Sequence, residues 1–535
     1  MKKLLTLTIA TLLSVVAFAN QDTLYVMDDG ALVTKRAISD IDSMTFEAPA
    51  NVMAAEVSAS VPKYIFLFIG DGMASPQINM GELAAKVNGY AVDSVENVIA
   101  DLNMTQFPVV GMQRTHATNR YITGSAASAT ALATGFKTSI NTISKSPDHD
   151  QDYKTIAEMA KEKGMKVGII SSVSIDHATP ACFYAHSDTR NYYNYIAAQM
   201  ASSDFDYFGG GWAKGLLEKY AAADRNPEGH TAVTDSSYMI DAGYTIANTR
   251  SAFDALSAED GKVWAYTMMG DGSGSLPYTI DYDAENNGAD IYLSEFTAKG
   301  IELMKDCKEG FFMMVEGGKI DWACHANDVV SATQNTIEFD KAIGEALAFY
   351  NENPDSTLII VTGDHETGGL TIGYAATLYE TALEVLNYQT ESYEVFDDRM
   401  KDWDASQIGE AMATMTEVFG LGDDSKGLAL TANEQAELAE AFYKSCKNAS
   451  SYEGGNTEEY LKSGGYNAFT MAITHILNKK AGIAWTSYSH TAVPVPVFAI
   501  GAGQENFTGY YENTEVARRI AQTANFNHDF SETED

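Results

Sequence analysis

Three apolar runs in this sequence end on an acidic or imidazole side chain. Asp71 closes Ile69-Gly70-Asp71-Gly72-Met73, Glu316 closes Val315-Glu316-Gly317-Gly318, and Asp364 with His365 closes Thr362-Gly363-Asp364-His365-Glu366. Carboxylate oxygen and imidazole nitrogen bind divalent cations, and adjacent glycines permit close approach. A single Asp-Gly reads as a turn; three such strand ends together read as a site. Asp321 and His325, in Asp321-Trp322-Ala323-Cys324-His325, stand four apart, so on a helix they share a face and reach one ion. That spacing also occurs in surface pairs, and it gains weight from following Glu316 so closely. His490, in Tyr488-Ser489-His490-Thr491, is a further donor whose meaning depends on the others.

Ser125 lies in Thr123-Gly124-Ser125-Ala126-Ala127-Ser128-Ala129-Thr130-Ala131, an Ala-rich run suited to starting a helix. A serine there serves as an N-cap. It also stands where backbone N–H groups hold phosphate oxygens, and a nearby zinc would activate its hydroxyl as a nucleophile.

The elements that must position these residues follow from the hydrophobic pattern. Tyr64–Ile69 is a continuous apolar run, as in a strand buried on both faces, and Lys166–Ser171, Gly310–Val315, Thr357–Thr362 and Pro496–Ile500 read as further strands. Helical periods lie between them, at Thr155–Lys163 with Gly164 as a stop, and at Val330–Asn351; Glu515–Ala524 closes the chain. The alternation predicts an α/β fold with a large, mainly parallel central sheet and helices on both faces, with sites at the carboxyl ends of strands. Residues 374–485 interrupt it with helical patterns at Ala405–Phe419 and Ala432–Lys447 and a Gly/Ser/Glu-rich stretch at Ser451–Gly465. This block reads as a mostly helical insertion near the active-site edge, either shaping access or decorating the surface.

The start of the chain is different. Lys2-Lys3, the apolar run Leu4–Phe18 and Ala17-Phe18-Ala19 form a secretory signal over residues 1–19, too short to span a bilayer. Residues 20–60 form a leader and linker, with a hairpin signal around Asp28-Asp29-Gly30, a short strand at Ser43–Phe46 and small residues over Ala48–Ser60. Export predicts a periplasmic or cell-envelope protein with no transmembrane segment after cleavage. Cys182, Cys307, Cys324 and Cys446 show no CxxC spacing, and their pairing is left open between disulfides and free thiols. The net charge of −38 becomes about −40 without Lys2 and Lys3. Such a chain repels nucleic acid and anionic membranes, and an anionic substrate needs local positive charge. Screening beyond about 8 Å lets metals or an arginine dominate locally.

The ordered set of Ile69–Met73, Thr123–Ala131, Val315–Gly317, Asp321 with His325, Thr362–His365 and Ser489-His490 resembles the alkaline phosphatase family over about Tyr64–Ala524. The leader resembles a short segment of exported Bacteroidetes-type proteins. The family resemblance implies a catalytic domain over 61–530 and hydrolysis of small phosphate monoesters, through a phosphoserine on Ser125 and fastest at alkaline pH. It implies two Zn²⁺ and one Mg²⁺. Asp321, His325 and His490 would hold one zinc; Asp71, Asp364 and His365 the other; Asp71, Glu316 and Thr179 the magnesium. Arg190, in His186-Ser187-Asp188-Thr189-Arg190, matches the phosphate-clamping arginine, a role that suits a planar guanidinium. His177 and Trp322 stand just outside the ligands, where the family varies, and His177 bears on the identity of the third ion. Gly124 replaces an Asp that many relatives carry beside the nucleophile and that orients the arginine. A homodimer is compatible with the resemblance. The competing readings are another member of the same superfamily (a phosphodiesterase, phosphoglycerate mutase or sulfatase) and a non-enzymatic copy of the fold. Arg190, Thr179 and Glu316 favour monoesters over diesters, Ser125–Ala129 lacks a sulfatase's Pro and Arg, and no ligand is missing.

Overall fold

The computed structural model of this 535-residue chain describes residues 61–86, 102–267, 272–282, 290–446, 457–527 and 530, together with three strands between residues 16 and 37. The chain divides into two compact units, Met1–Ala59 and Ser60–Asp535. In the first, β1 (Val16–Asn20), β2 (Thr23–Asp28) and β3 (Ala31–Ala37) form an antiparallel sheet. β2 and β3 are the hairpin expected around Asp28-Asp29-Gly30, and β1 contains Ala17–Ala19. Lys2-Lys3, most of the apolar run after them, the strand expected at 43–46 and the linker at 48–60 lie outside the described residues.

The second unit contains β4 (Tyr64–Gly70), β5 (Val109–Arg114), β6 (Lys166–Ser171), β7 (Tyr207–Gly211), β8 (Tyr244–Ala247), β9 (Lys262–Thr267), β10 (Phe311–Glu316) and β11 (Thr357–Gly363). β12 (Glu366–Thr367), β13 (Thr371–Ile372), β14 (Ile483–Ala484), β15 (His490–Thr491), β16 (Val495–Gly501) and β17 (Gly509–Glu512) follow. Ten strands make one sheet in the order β17-β5-β16-β11-β4-β10-β6-β7-β9-β8. All adjacent pairs are parallel except the two that β16 makes with β5 and β11. The large, mainly parallel sheet is as expected; the reversed β16 was not.

β4, β10 and β11 are buried at every position, as continuous apolar runs require when helices cover both faces. Ile65, Leu67 and Ile69 enter one apolar cluster, while Tyr64, Phe66 and Phe68 enter the other. Register brings the strand ends level: Ile69 pairs with both Glu316 and Thr362, and Glu316 pairs with Ser171. Asp71, Glu316 and Asp364 therefore leave neighbouring strands at one edge.

The helix expected from Thr155 runs over Ile156–Glu162, with Thr155 and Glu158 forming a reciprocal capping box. The long helix spans Val329–Glu352 and is capped by Asp328, whose side chain accepts from Ser331 N–H. Five helices lie between 393 and 481: Tyr393–Met400, Ile408–Phe419, Ala432–Cys446, Thr457–Ser463 and Ala468–Ala481. All but Thr457–Ser463 contribute to a third apolar cluster that includes Phe396, Phe419, Phe442, Phe469 and Ile473. Asp404 caps a short 3-10 turn, Ala405–Gln407, that precedes Ile408–Phe419, so the expected single helix is divided. Cys182 and Cys324 are buried, Cys307 and Cys446 are partly exposed, and all four are free thiols. Among the described residues no helix is long and apolar enough to cross a membrane.

Candidate functional site

The sheet's carboxyl edge brings together most of the residues singled out by their chemistry. Asp71 follows β4 at a turn where Gly72 adopts φ +72°; a Cβ on Gly72 would sit 2.8 Å from Thr367 Oγ1 and 2.9 Å from Asp321 Cα. Gly72 N–H donates to Asp364 Oδ1 at 3.1 Å. Only a glycine gives both the left-handed backbone and the close approach. His365 Nε2 lies 3.4 Å from Asp71 Oδ1 and 3.2 Å from Asp364 Oδ2. Ser128 Oγ donates to Asp364 Oδ2 at 3.1 Å.

Ser125 is the first residue of the helix Ser125–Thr134, with Gly124 as its N-cap. It is buried, and its Oγ stands 3.4 Å from His365 Nε2. Gly124 has φ −122° and ψ 163°, and nothing lies within 4 Å of where its Cβ would be. Neither backbone nor packing demands a glycine beside Ser125.

Asp321 and His325 share the helix Lys319–His325, with Asp321 Oδ2 3.3 Å from His325 Nε2. β15 pairs with β12, placing His490 opposite Thr367. His490 Nε2 is then 3.6 Å from Asp321 Oδ1 and 3.2 Å from His325 Nε2. The tautomers follow from the remaining bonds. His325 Nδ1 contacts the Tyr488 carbonyl at 2.6 Å and His490 Nδ1 contacts the Thr123 carbonyl at 2.8 Å. A carbonyl only accepts, so each Nδ1 carries a hydrogen and each neutral ring turns the Nε2 lone pair inward. Two lone pairs and a carboxylate thus converge, an arrangement that a cation satisfies and that orients imidazole ligands.

Glu316 and Thr179 stand at the other end. Thr179 lies in the short helix Ala178–Ala181, with its hydroxyl 3.5 Å from Asp71 Oδ2. Ser171 Oγ donates to Glu316 Oε2. Asp71 Oδ1 and Glu316 Oε1 are buried and have no hydrogen-bond partner. Burial, then repulsion from Asp364, Asp321 and Glu316, pushes the Asp71 carboxyl well above its ordinary range. Burial first, and then other carboxylates, also raise Glu316 to about 8 and Asp364 to about 7. Buried carboxylates of this kind need cations or protons. Three sets of donor atoms each lie within 4.8 Å of one another: Asp321, His325 and His490; Asp71, Asp364 and His365; and Asp71, His177 and Glu316. The donor chemistry and the unpartnered oxygens fit divalent metals.

Arg190 is partly buried, and its Nη2 is 2.8 Å from His177 Nε2. Its charge reaches Asp71, His325, His365 and His490. The His177 and Trp322 rings meet edge-on, with centroids 5.7 Å apart.

Sequence reasoning missed three supports. Thr367 Oγ1 donates to Asp321 Oδ1 at 2.5 Å. Glu366 accepts from Gln77, Gly369, Leu370 and Thr491, tying His365's neighbour to His490's. Lys319, without solvent exposure, pairs with Glu394 at 3.1 Å and lies 4.9 Å from the Trp322 ring. Thr367 and Glu366 directly follow a recognised motif, which is their signal. Lys319 has none, since a lysine after two glycines reads as solvated.

The model of the family described as alkaline phosphatase matches residues 62–526. The chain belongs to the alkaline phosphatase family. Alkaline phosphatase 3 of Bacillus subtilis (strain 168) is 30% identical over 506 residues, covering 92% of this chain and 96% of the Bacillus protein. The solved cold-active alkaline phosphatase from the psychrophile Shewanella sp. is 28% identical with a TM-score of 0.68, covering 86% of this chain and 99% of that one. The Thermus thermophilus alkaline phosphatase structure shares the fold, with a TM-score of 0.69 at 21% identity, covering 90% of this chain and 96% of its own. The residues described above are thus the candidate active site of a phosphatase.

Proposed function

We propose that this phosphatase hydrolyses small phosphate monoesters to an alcohol and inorganic phosphate in two displacements, with Ser125 as the nucleophile. The observation that carries this reading is the Ser125 hydroxyl, set at a helix N-terminus 3.4 Å from His365, itself one of a buried group of metal donors with Asp71 and Asp364. Ser125 Oγ attacks phosphorus, the Oγ–P bond forms and the ester oxygen leaves with its alcohol. Water then attacks the phosphoserine, phosphate departs and the hydroxyl of Ser125 is regenerated. Backbone N–H groups of the helix's first turn and the Arg190 guanidinium hold the non-bridging oxygens.

We assign one zinc to Asp321, His325 and His490, a second to Asp71, Asp364 and His365, and a magnesium to Asp71, Glu316 and Thr179. When bound, these ions neutralise the charge on the attacking and leaving oxygens and make hydroxide accessible, which favours alkaline pH. The chain's own part is to hold that constellation: carbonyls fix the His325 and His490 rings, and Thr367 fixes Asp321. Residues 1–19 are taken as an export signal, 20–60 as a leader, 61–530 as the catalytic domain and 374–485 as an insertion within it. Delivery to the periplasm or cell envelope and a homodimeric state complete the reading.

The test is Ser125→Ala. Turnover of p-nitrophenyl phosphate should fall by about 10³-fold or more, metal content should be kept, and mass spectrometry of quenched wild-type reactions should find phosphate on the Ser125 peptide. Unchanged turnover in the variant, or turnover of the bis-ester in preference to the monoester, would reject it.

A further inference from the structure

Arg190 makes a single side-chain hydrogen bond among the described residues, from Nη2 to His177 Nε2. No carboxylate pairs with it there, and nothing stands within 4 Å of the space beside Ser125 at Gly124. The direction of the Arg190 bond is fixed by chemistry. A guanidinium only donates, so Nε2 accepts and the ring is neutral. A neutral imidazole has one ring nitrogen with a free lone pair, and here Arg190 occupies it. Yet His177 is also grouped with Asp71 and Glu316 as a metal donor. One lone pair cannot serve both.

We propose that His177 is a positioning residue: it is the anchor of Arg190 and not a ligand of the third ion. This rests on the clamp role given to Arg190 above. The ring is held through Nε2 and its face, since its buried Nδ1 has no hydrogen-bond partner among the described residues. It is 7% exposed and stands at the N-cap of Ala178–Ala181. Its face is set by the edge-on Trp322, which is in turn backed by the Lys319 ammonium and its Glu394 partner. An aromatic wall backed by a buried ammonium and its partly exposed Glu394 partner thus fixes the acceptor on which the arginine leans. A consequence is that the third site keeps only oxygen donors, Asp71, Glu316 and Thr179, a set that suits magnesium better than zinc.

Two amide side chains separate the roles. Gln at position 177 carries an amide atom near the place of Nε2, whereas Asn carries one near that of Nδ1. Inorganic phosphate binding is measured by calorimetry on metal-loaded Ser125→Ala protein, with metal per chain determined on the same samples. His177→Ala and His177→Asn should each weaken phosphate binding about tenfold, the loss of one hydrogen bond to a charged group. His177→Gln should restore most of it, and metal content should not change. With Ser125 intact, KM should rise more than kcat falls. Loss of one metal equivalent in His177→Ala, equal weakening by Gln and Asn, or parental phosphate affinity in His177→Ala overturns the proposal. Arg190→Ala separates the levels: if it leaves phosphate affinity unchanged, the clamp reading itself fails. If it weakens binding while His177→Ala does not, only the anchor role falls.

Discussion

At one end of the site, His325 and His490 each have Nδ1 on a backbone carbonyl and Nε2 facing Asp321. At the other, Asp71 and Glu316 each keep a buried oxygen with no partner. The imidazole end is oriented by the fold alone, because neutral rings take their tautomer from hydrogen bonds that stand without an ion. The carboxylate end is not self-sufficient, since burial and mutual repulsion oppose its charges. The difference teaches that the fold alone orients the His325 and His490 rings, whereas Asp71 and Glu316 need a cation or a proton.

Stripping both ends gives the largest expected effect. Exhaustive chelation should lower monoester turnover by about 10³-fold or more, with recovery on adding zinc and magnesium; full turnover after elemental analysis shows no metal would contradict the site. A sharper cut treats the ends separately. Asp321→Asn should lose zinc and reduce turnover about 100-fold or more, whereas Glu316→Gln should lose magnesium alone and reduce it less, by about 10–100-fold. Reversal of that order, read from metal content and kcat together, would break the contrast. Thr367→Val removes the hydroxyl that holds Asp321, and should weaken zinc binding at the imidazole end about tenfold while leaving magnesium unchanged. Competition with a zinc chelator measures this.

The smallest effect concerns a carboxyl outside the three donor sets. Asp397 is raised to about 7, by burial first and then by Asp398 and Glu394, although Thr470 donates to it. Its folded pKa lies above the unfolded value, so the folded state holds the extra proton. Its contribution is full below about pH 4 and is lost as pH rises toward 7. Asp397→Asn should flatten the thermal-stability profile over that window, by on the order of 1 kcal/mol. Metal removal should leave this flattening unchanged, which marks Asp397 as a control for the carboxylate end.

The sequence carried the site further than the sheet. β4, β10 and β11 were legible because an unbroken apolar run closed by an acid is the pattern of a strand covered on both faces that opens onto a polar edge. β7, Tyr207-Phe208-Gly209-Gly210-Gly211, was not, because three glycines read as a loop. They are needed there: a Cβ on Gly210 would lie 1.9 Å from the Ser171 carbonyl oxygen. β5 alternates in burial and is broken by Gly111, so its short pattern carried little signal. His490 gained meaning only beside the other motifs. The Arg190–His177 bond depends on two loops meeting, which no local pattern encodes.

The reversed strand β16 has one more consequence. Asp71 and Asp364 follow strands and Glu316 ends one, but His490 precedes β16, because a strand running the other way starts where its neighbours end. β16 inserts between β5 and β11 and directly follows β15, so the chain must be made past β16 before the imidazole end can close. A nascent or truncated chain that has made β4, β10 and β11 still lacks this donor. Of the three donor sets, that of Asp321, His325 and His490 is thus the last to be completed along the chain, and a chain ending before β15 would carry Asp321 and His325 without their third partner.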